Sequence, residues 1–106
     1  MLPKQKLIDL DQPSLFRGNV LRLPAKHPYE ERVDFMLFET GFDERRYGLM
    51  VSSGYKAGIP LVYLPAESES KDSGVSRDWI ISNWKAWIYP DCDVSQVEFI
   101  EAYGAT

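Results

Sequence analysis

The sequence predicts an α+β fold: a mainly antiparallel β-sheet of about five to six strands with one principal amphipathic helix packed on it. Three observations predict it. Short runs rich in β-branched and aromatic residues recur through residues 15–64, a single stretch of helical periodicity follows, and one further β-type run comes after it. Short turns join most of these runs, and short turns make antiparallel pairs, because a parallel pair needs a long crossover.

The elements follow in order. Residues 1–14 mix Pro3, Pro13 and alternating charges with Leu7, Ile8 and Leu10, which suits an arm or a short edge strand. Residues 15–23 have β-type composition, and Gly18-Asn19 in their middle marks either a tight turn or a bulge. Pro24 and Pro28 bracket a loop that holds His27. Residues 33–39 form the clearest strand, with Val33, Phe35 and Leu37 on one face. Met36 and Phe38 make its other face apolar too, so a central strand covered on both sides is expected. Residues 40–46 read as a polar hairpin connection in which Gly41 supplies a positive φ. The partner strand runs over residues 47–55, and residues 54–58 turn the chain. Residues 59–64 read as a short buried strand with Pro60, which has no ladder donor, at its start. Residues 65–74 offer only small, acidic and hydroxyl side chains, the composition of a mobile surface loop.

The helix is expected over residues 76–88. Ser76 is its N-cap, and Ile80, Ile81, Trp84, Trp87 and Ile88 fall within one apolar stripe roughly 120° wide, suited to lying on a sheet. Pro90 forces Tyr89 out of the helical region, so the helix stops there and Asp91-Cys92-Asp93 is a turn. Arg77, at the helix start, is placed to tether a loop carboxylate to the sheet. Trp79 lies about 80° to 100° off the stripe. Either the loop before the helix covers it or it stays half exposed for a partner. Residues 94–103 then read as a last strand, with Val97 and Phe99 inward and Glu98 outward.

At 106 residues the chain is expected to form a single domain over 1–106. Twelve basic residues are outnumbered by sixteen acidic ones, for a net charge of −4, which argues against direct binding to nucleic acid. Charges interrupt the N-terminal residues before any long apolar run forms, so neither a signal peptide nor a membrane span is expected, and the cytoplasm is the expected compartment. One cysteine can make no internal disulfide and no thiolate metal site.

No residue pattern specifies catalysis, a cofactor or a metal. His27 lacks a recognisable nucleophile to activate. Cys92 stands between two carboxylates after a helix C-terminus, and both oppose a thiolate. Paired acids such as Glu30-Glu31 and Glu67/Glu69 read as solvated loop residues, and Gly54 to Gly58 lacks the spacing and lysine of a phosphate loop. What stands out is acid on both sides of the helix: Glu67, Glu69 and Asp72 before it, Asp91, Asp93, Glu98 and Glu101 after it.

The pattern Arg77-Asp-Trp-Ile-Ile-Ser-Asn-Trp-Lys-Ala-Trp-Ile-Tyr-Pro-Asp-Cys-Asp-Val94 follows Gly54-Tyr-Lys-Ala-Gly58 and Leu64-Pro-Ala-Glu-Ser68. Together they resemble the Immunity protein 45 family of bacterial polymorphic toxin systems. The resemblance implies a non-enzymatic cytosolic antidote that binds a cognate toxin. An acidic surface would suit a cationic toxin such as a nuclease. The contact residues expected first are Glu67, Glu69, Asp72, Asp91 and Asp93, with Trp79 as an aromatic anchor. Two alternatives come from other classes: a non-enzymatic adaptor for a cellular protein, and a small enzyme using His27 or Cys92.

Overall fold

The structure, a computed structural model, describes residues 5–25 and 31–104. Its strands are β1 (Gln5–Lys6), β2 (Ser14–Leu15), β3 (Val20–Pro24), β4 (Arg32–Glu39), β5 (Tyr47–Val51), β6 (Pro60–Tyr63), β7 (Val75–Ser76) and β8 (Glu98–Ile100), and its α-helix is α1 (Arg77–Ser82). Six strands pair antiparallel in the order β1-β8-β3-β4-β5-β6, while β2 and β7 make a separate antiparallel pair. The α+β expectation holds, and β8 returns to the sheet between β1 and β3.

The strand expected over residues 15–23 divides at its Gly18-Asn19 step. Asn19 closes a turn by donating its N–H to the Phe16 carbonyl at 3.0 Å and accepting the Phe16 N–H on its side chain at 2.7 Å. The chain therefore leaves the small sheet at Leu15 and enters the large one at Val20. The N-terminal arm is an edge strand followed by a 3-10 turn, Leu7–Asp9, that puts Leu7 and Leu10 into the core.

Alternation in the strands decides the two sides of the sheet. Leu21, Leu23, Phe35, Leu37, Leu49 and Phe99 face the helical side and pack with Ile80, Trp84 and Ile88. The strand at residues 33–39 is central, as expected, but not fully covered on both sides: Met36 and Phe38 remain half-buried and outside that core. The strand expected to be buried at residues 59–64 is instead the exposed edge β6, from which Val62 packs against the core. Pro60 stands at its start, as its missing N–H requires.

The single helix expected over residues 76–88 is two pieces. Ser76 caps α1, its hydroxyl accepting the Trp79 N–H at 3.1 Å. Asn83 then leaves helical geometry, and both its backbone and side-chain N–H donate to the Trp79 carbonyl at 2.9 Å. A one-turn π-helix, Trp84–Ile88, follows, closed by the extended Tyr89 donating to the Trp84 carbonyl at 3.0 Å. The wider turn redistributes the stripe. Ile80, Trp84 and Ile88 are buried, while Ile81 and Trp87 flank them half-buried. Trp84, only 1% exposed, keeps its indole N–H satisfied by the Cys92 carbonyl at 2.9 Å.

Residues 65–74 are not the free loop their composition suggests. Ser68 is fully buried and donates to the Pro65 carbonyl at 2.7 Å. Glu69 bridges to Val75, the Tyr47 hydroxyl donates to the Ser73 carbonyl at 2.8 Å, and Ser14 donates to Asp72 at 3.0 Å.

On the side of the sheet away from the helix, Asp34 is buried at 2% exposure. Arg22, directly across the β3–β4 ladder, donates to its two oxygens at 2.8 and 2.9 Å, and the Tyr103 hydroxyl donates at 2.6 Å. Because that phenol proton is committed to the carboxylate, the 2.8 Å contact between Ser52 and Tyr103 has Ser52 as donor. Burial opposes charge on Asp34, but the Arg22 and Tyr103 hydrogen bonds prevail and hold its carboxyl below the ordinary value. Burial and then the Asp34 hydrogen bond push the Tyr103 phenol up.

Two stability predictions come from this packing. Trp84→Ala should cost about 3–5 kcal/mol and Trp84→Phe about 1–3, whereas the half-buried Trp87→Ala should cost less than Trp84→Ala, all read by urea unfolding. Asp34→Asn should cost about 2–3 kcal/mol at neutral pH. Since the folded Asp34 pKa is depressed, its contribution is complete above the unfolded value near 4 and is lost as pH falls through the folded value. The stability gap between the parent and Asp34→Asn should therefore close on acidification. The raised Tyr103 pKa acts in the opposite sense: its contribution is complete below the unfolded value near 10 and is lost as pH rises through the folded one.

Candidate functional site

The five acidic residues expected as contacts fall in three regions. Glu67 is exposed in the 3-10 turn Ala66–Ser68, which packs beside α1, and Glu69 forms an ion pair with Arg46 at 3.5 Å, just before β5. Both lie toward the β5–β6 edge of the sheet. Asp91 and Asp93 lie on the approach to β8, beside the opposite edge strand β1. Asp72 is tied to Ser14 of β2.

Several of these carboxylates already have work within the fold. Asp93 caps the 3-10 turn Val94–Gln96, accepting the backbone N–H of Ser95 at 3.1 Å together with its hydroxyl. The Ser95 side-chain hydrogen bond, joined by the backbone one, lowers the Asp93 pKa. Asp72 and Glu69 hold the 65–74 segment to its neighbours. Glu67 and Asp91 are exposed. Arg77 takes a different partner from the loop carboxylate expected for it. Its guanidinium donates to the Leu10 carbonyl and, at 2.9 Å, to Asp78, so it ties the helix start to the N-terminal arm.

Trp79 is half-buried, its ring edge-on to Trp87 at 5.6 Å between centroids. Its place in the fold is at one end of a run of rings and guanidinium. Arg45 lies over Trp87 at 5.9 Å and donates to the Tyr63 carbonyl at 2.9 Å. Tyr63 stacks edge-on with Phe42 at 5.8 Å and with Phe38 at 6.3 Å. Sequence reasoning missed Phe42, Tyr63 and Arg45 because they sit in a loop of polar composition and a strand read as buried. The one available signal was a phenylalanine inside the otherwise polar hairpin connection.

The chemistry of Cys92 does not favour a nucleophile. The residue is buried, and burial first, then the charge of Asp93, pushes its thiol pKa up, the wrong direction for a thiolate. Its sulfur contacts the Asp93 carbonyl at 3.4 Å and Gln96 Oε1 at 4.0 Å, both acceptors. His27 and Glu30 lie outside the described residues. Among the described residues, no cluster of His, Cys, Asp and Glu has the grouping of a metal site, and no helix is long and apolar enough to cross a membrane.

Comparison with known proteins supplies what geometry leaves unnamed. No curated protein and no solved structure shows significant similarity to the chain. The family model described as Immunity protein 45 matches residues 7–99, a span that includes β2 to β7, most of β8, α1 and the π-turn. Immunity proteins neutralise cognate toxins and are generally not enzymes. The chain belongs to the Immunity protein 45 family.

Proposed function

We propose that this protein binds a cognate bacterial toxin of an interbacterial competition system in the cytoplasm and blocks it sterically, with no catalysis of its own. The family match over residues 7–99 carries the reading. The raised thiol pKa of Cys92 supports the non-enzymatic part of it.

The toxin fitted best by this chain is a cationic domain, and a nuclease is the class whose substrate-holding basic residues an acidic partner would occupy. The net charge of −4 supports that choice. Opposite potentials speed encounter, and carboxylates on the rim give register to the complex. Glu67, Glu69, Asp72, Asp91 and Asp93, with Trp79 as anchor, are the contact set to test. Glu67 is a cleaner choice than Glu69, Asp72 or Asp93, because reversal at any of those three also removes a contact within the fold.

Co-expression with the polypeptide encoded beside its gene should restore growth and yield a co-purifying complex. The association rate should fall as salt rises; a rate indifferent to salt removes electrostatic steering. Charge reversal across the five carboxylates should weaken binding by more than about 2 kcal/mol at one or two of them and leave the others near neutral. His27→Ala and Cys92→Ala should protect as fully as the parent, and lost protection in either folded variant would restore the enzyme reading.

A further inference from the structure

The tip of the β4–β5 hairpin exposes an aromatic side chain that the fold does not need there. Phe42 is 57% exposed, with its ring resting on Tyr63 at 5.8 Å. Tyr63 itself, 39% exposed, stands over the end of the sheet against Phe38. Gly48, between Phe38 and Tyr63 in the ladder, makes this possible. A Cβ there would stand 2.8 Å from the Val62 carbonyl oxygen and 2.9 Å from the Phe38 ring, so a side chain would push the ring away.

The loop that carries Phe42 is held closed. The Thr40 N–H donates to the Arg46 carbonyl at 2.9 Å, the Thr40 hydroxyl donates to the Arg45 carbonyl, and that same hydroxyl accepts the Phe42 N–H at 3.0 Å. Gly41 supplies the positive φ of 85° that the loop requires. A ring presented by a closed loop loses little conformational freedom on binding. Arg45 then links the tip to the helical side through the Tyr63 carbonyl and the Trp87 ring. Phe42 and Tyr63 on one side of the sheet and Trp87 and Trp79 on the other are thus bridged at its edge by Arg45, and all are of the residue types enriched at interfaces.

The charge around this run selects its occupant. Arg17 is paired with Glu39 at 3.5 Å and Arg46 with Glu69 at 3.5 Å. Arg45, directed to the Tyr63 carbonyl and the Trp87 ring, keeps its charge, so the two loop carboxylates outnumber it. Asp43 and Glu44 stand exposed in the loop itself. Beside Phe42 lies a shallow depression of about 210 Å³ whose lining includes Glu39, Asp43 and Arg46. An apolar knob next to a depression bordered by carboxylates matches a partner that offers an apolar socket flanked by a lysine or arginine. A second copy of this chain fits less well, because it would bring Asp43 and Glu44 against their own equivalents.

We infer that this hairpin tip is the docking surface for a basic toxin domain, with Phe42 as the apolar anchor and Asp43 and Glu44 as its charged rim. The inference rests on the immunity reading above and narrows its contact set to the β4–β5 hairpin end, away from Asp91 and Asp93. The test uses the full chain and an inactivated form of the toxin encoded beside its gene, with affinity measured by calorimetry. Phe42→Ala should weaken binding about 30-fold or more without lowering the melting temperature, and the double variant Asp43→Lys/Glu44→Lys should slow association. Tyr55→Ala, at an aromatic residue 73% exposed beyond the other end of β5, should leave affinity unchanged.

The outcomes separate cleanly. If the parent binds and Phe42→Ala binds within about threefold of it, the tip inference fails while the immunity reading stands. If the parent does not bind the toxin, both fail. If Phe42→Ala instead converts a dimeric parent to monomer in sedimentation while toxin affinity is unchanged, the occupant is a second copy and the inference is overturned.

Discussion

Trp84 can be buried only if its indole N–H keeps a partner, and the course of the chain from residue 83 to residue 92 meets that requirement. An indole lost to water without a hydrogen bond would cost on the order of 1–3 kcal/mol, much of what burying the ring contributes. The Cys92 carbonyl supplies the bond at 2.9 Å. For it to lie there, the helix has to end early and Tyr89 has to turn out ahead of Pro90, and the π-turn achieves both. The final strand depends on the same arrangement, since the Asp91–Asp93 turn delivers Val97 and Phe99 to the core.

A sheet with helical segments on one side leaves its other side to be resolved by different means. Here part of that side is polar and sealed: Asp34 is neutralised across the ladder by Arg22 and covered by Tyr103. Another part is aromatic and open, at the hairpin end where Phe38, Tyr63 and Phe42 meet. The two treatments have different consequences. A satisfied buried ion pair orders the β3–β4 register and the C-terminal residues that reach it, whereas exposed rings contribute little to folding and are available to a partner.

The acidic residues illustrate how composition overstates a site. Three carboxylates that look like plain acidic surface in the sequence have local tasks in the structure. Asp93 is a cap, Asp72 a tether to Ser14, and Glu69 the partner of Arg46. Family membership supports a binding function for the chain, while the aromatic run from Trp79 to Phe42 joins one residue legible in the sequence to others that were not.

The sequence by itself determined the class of fold, the central strand at residues 33–39, the cap at Ser76, the stop at Pro90, the inward Val97 and Phe99, and the family. Each is a local matter of periodicity, dihedral restriction or motif, written in neighbouring residues. Only tertiary structure decided that residues 59–64 lie at an edge, that residues 65–74 are pinned, that the helix breaks at Asn83, and that Phe42, Tyr63, Arg45 and Trp87 adjoin. The physical reason is common to all four. Each depends on which distant group takes a hydrogen bond or covers a ring, as Cys92 does for Trp84 and Tyr47 for Ser73, and one-dimensional pattern does not carry that pairing.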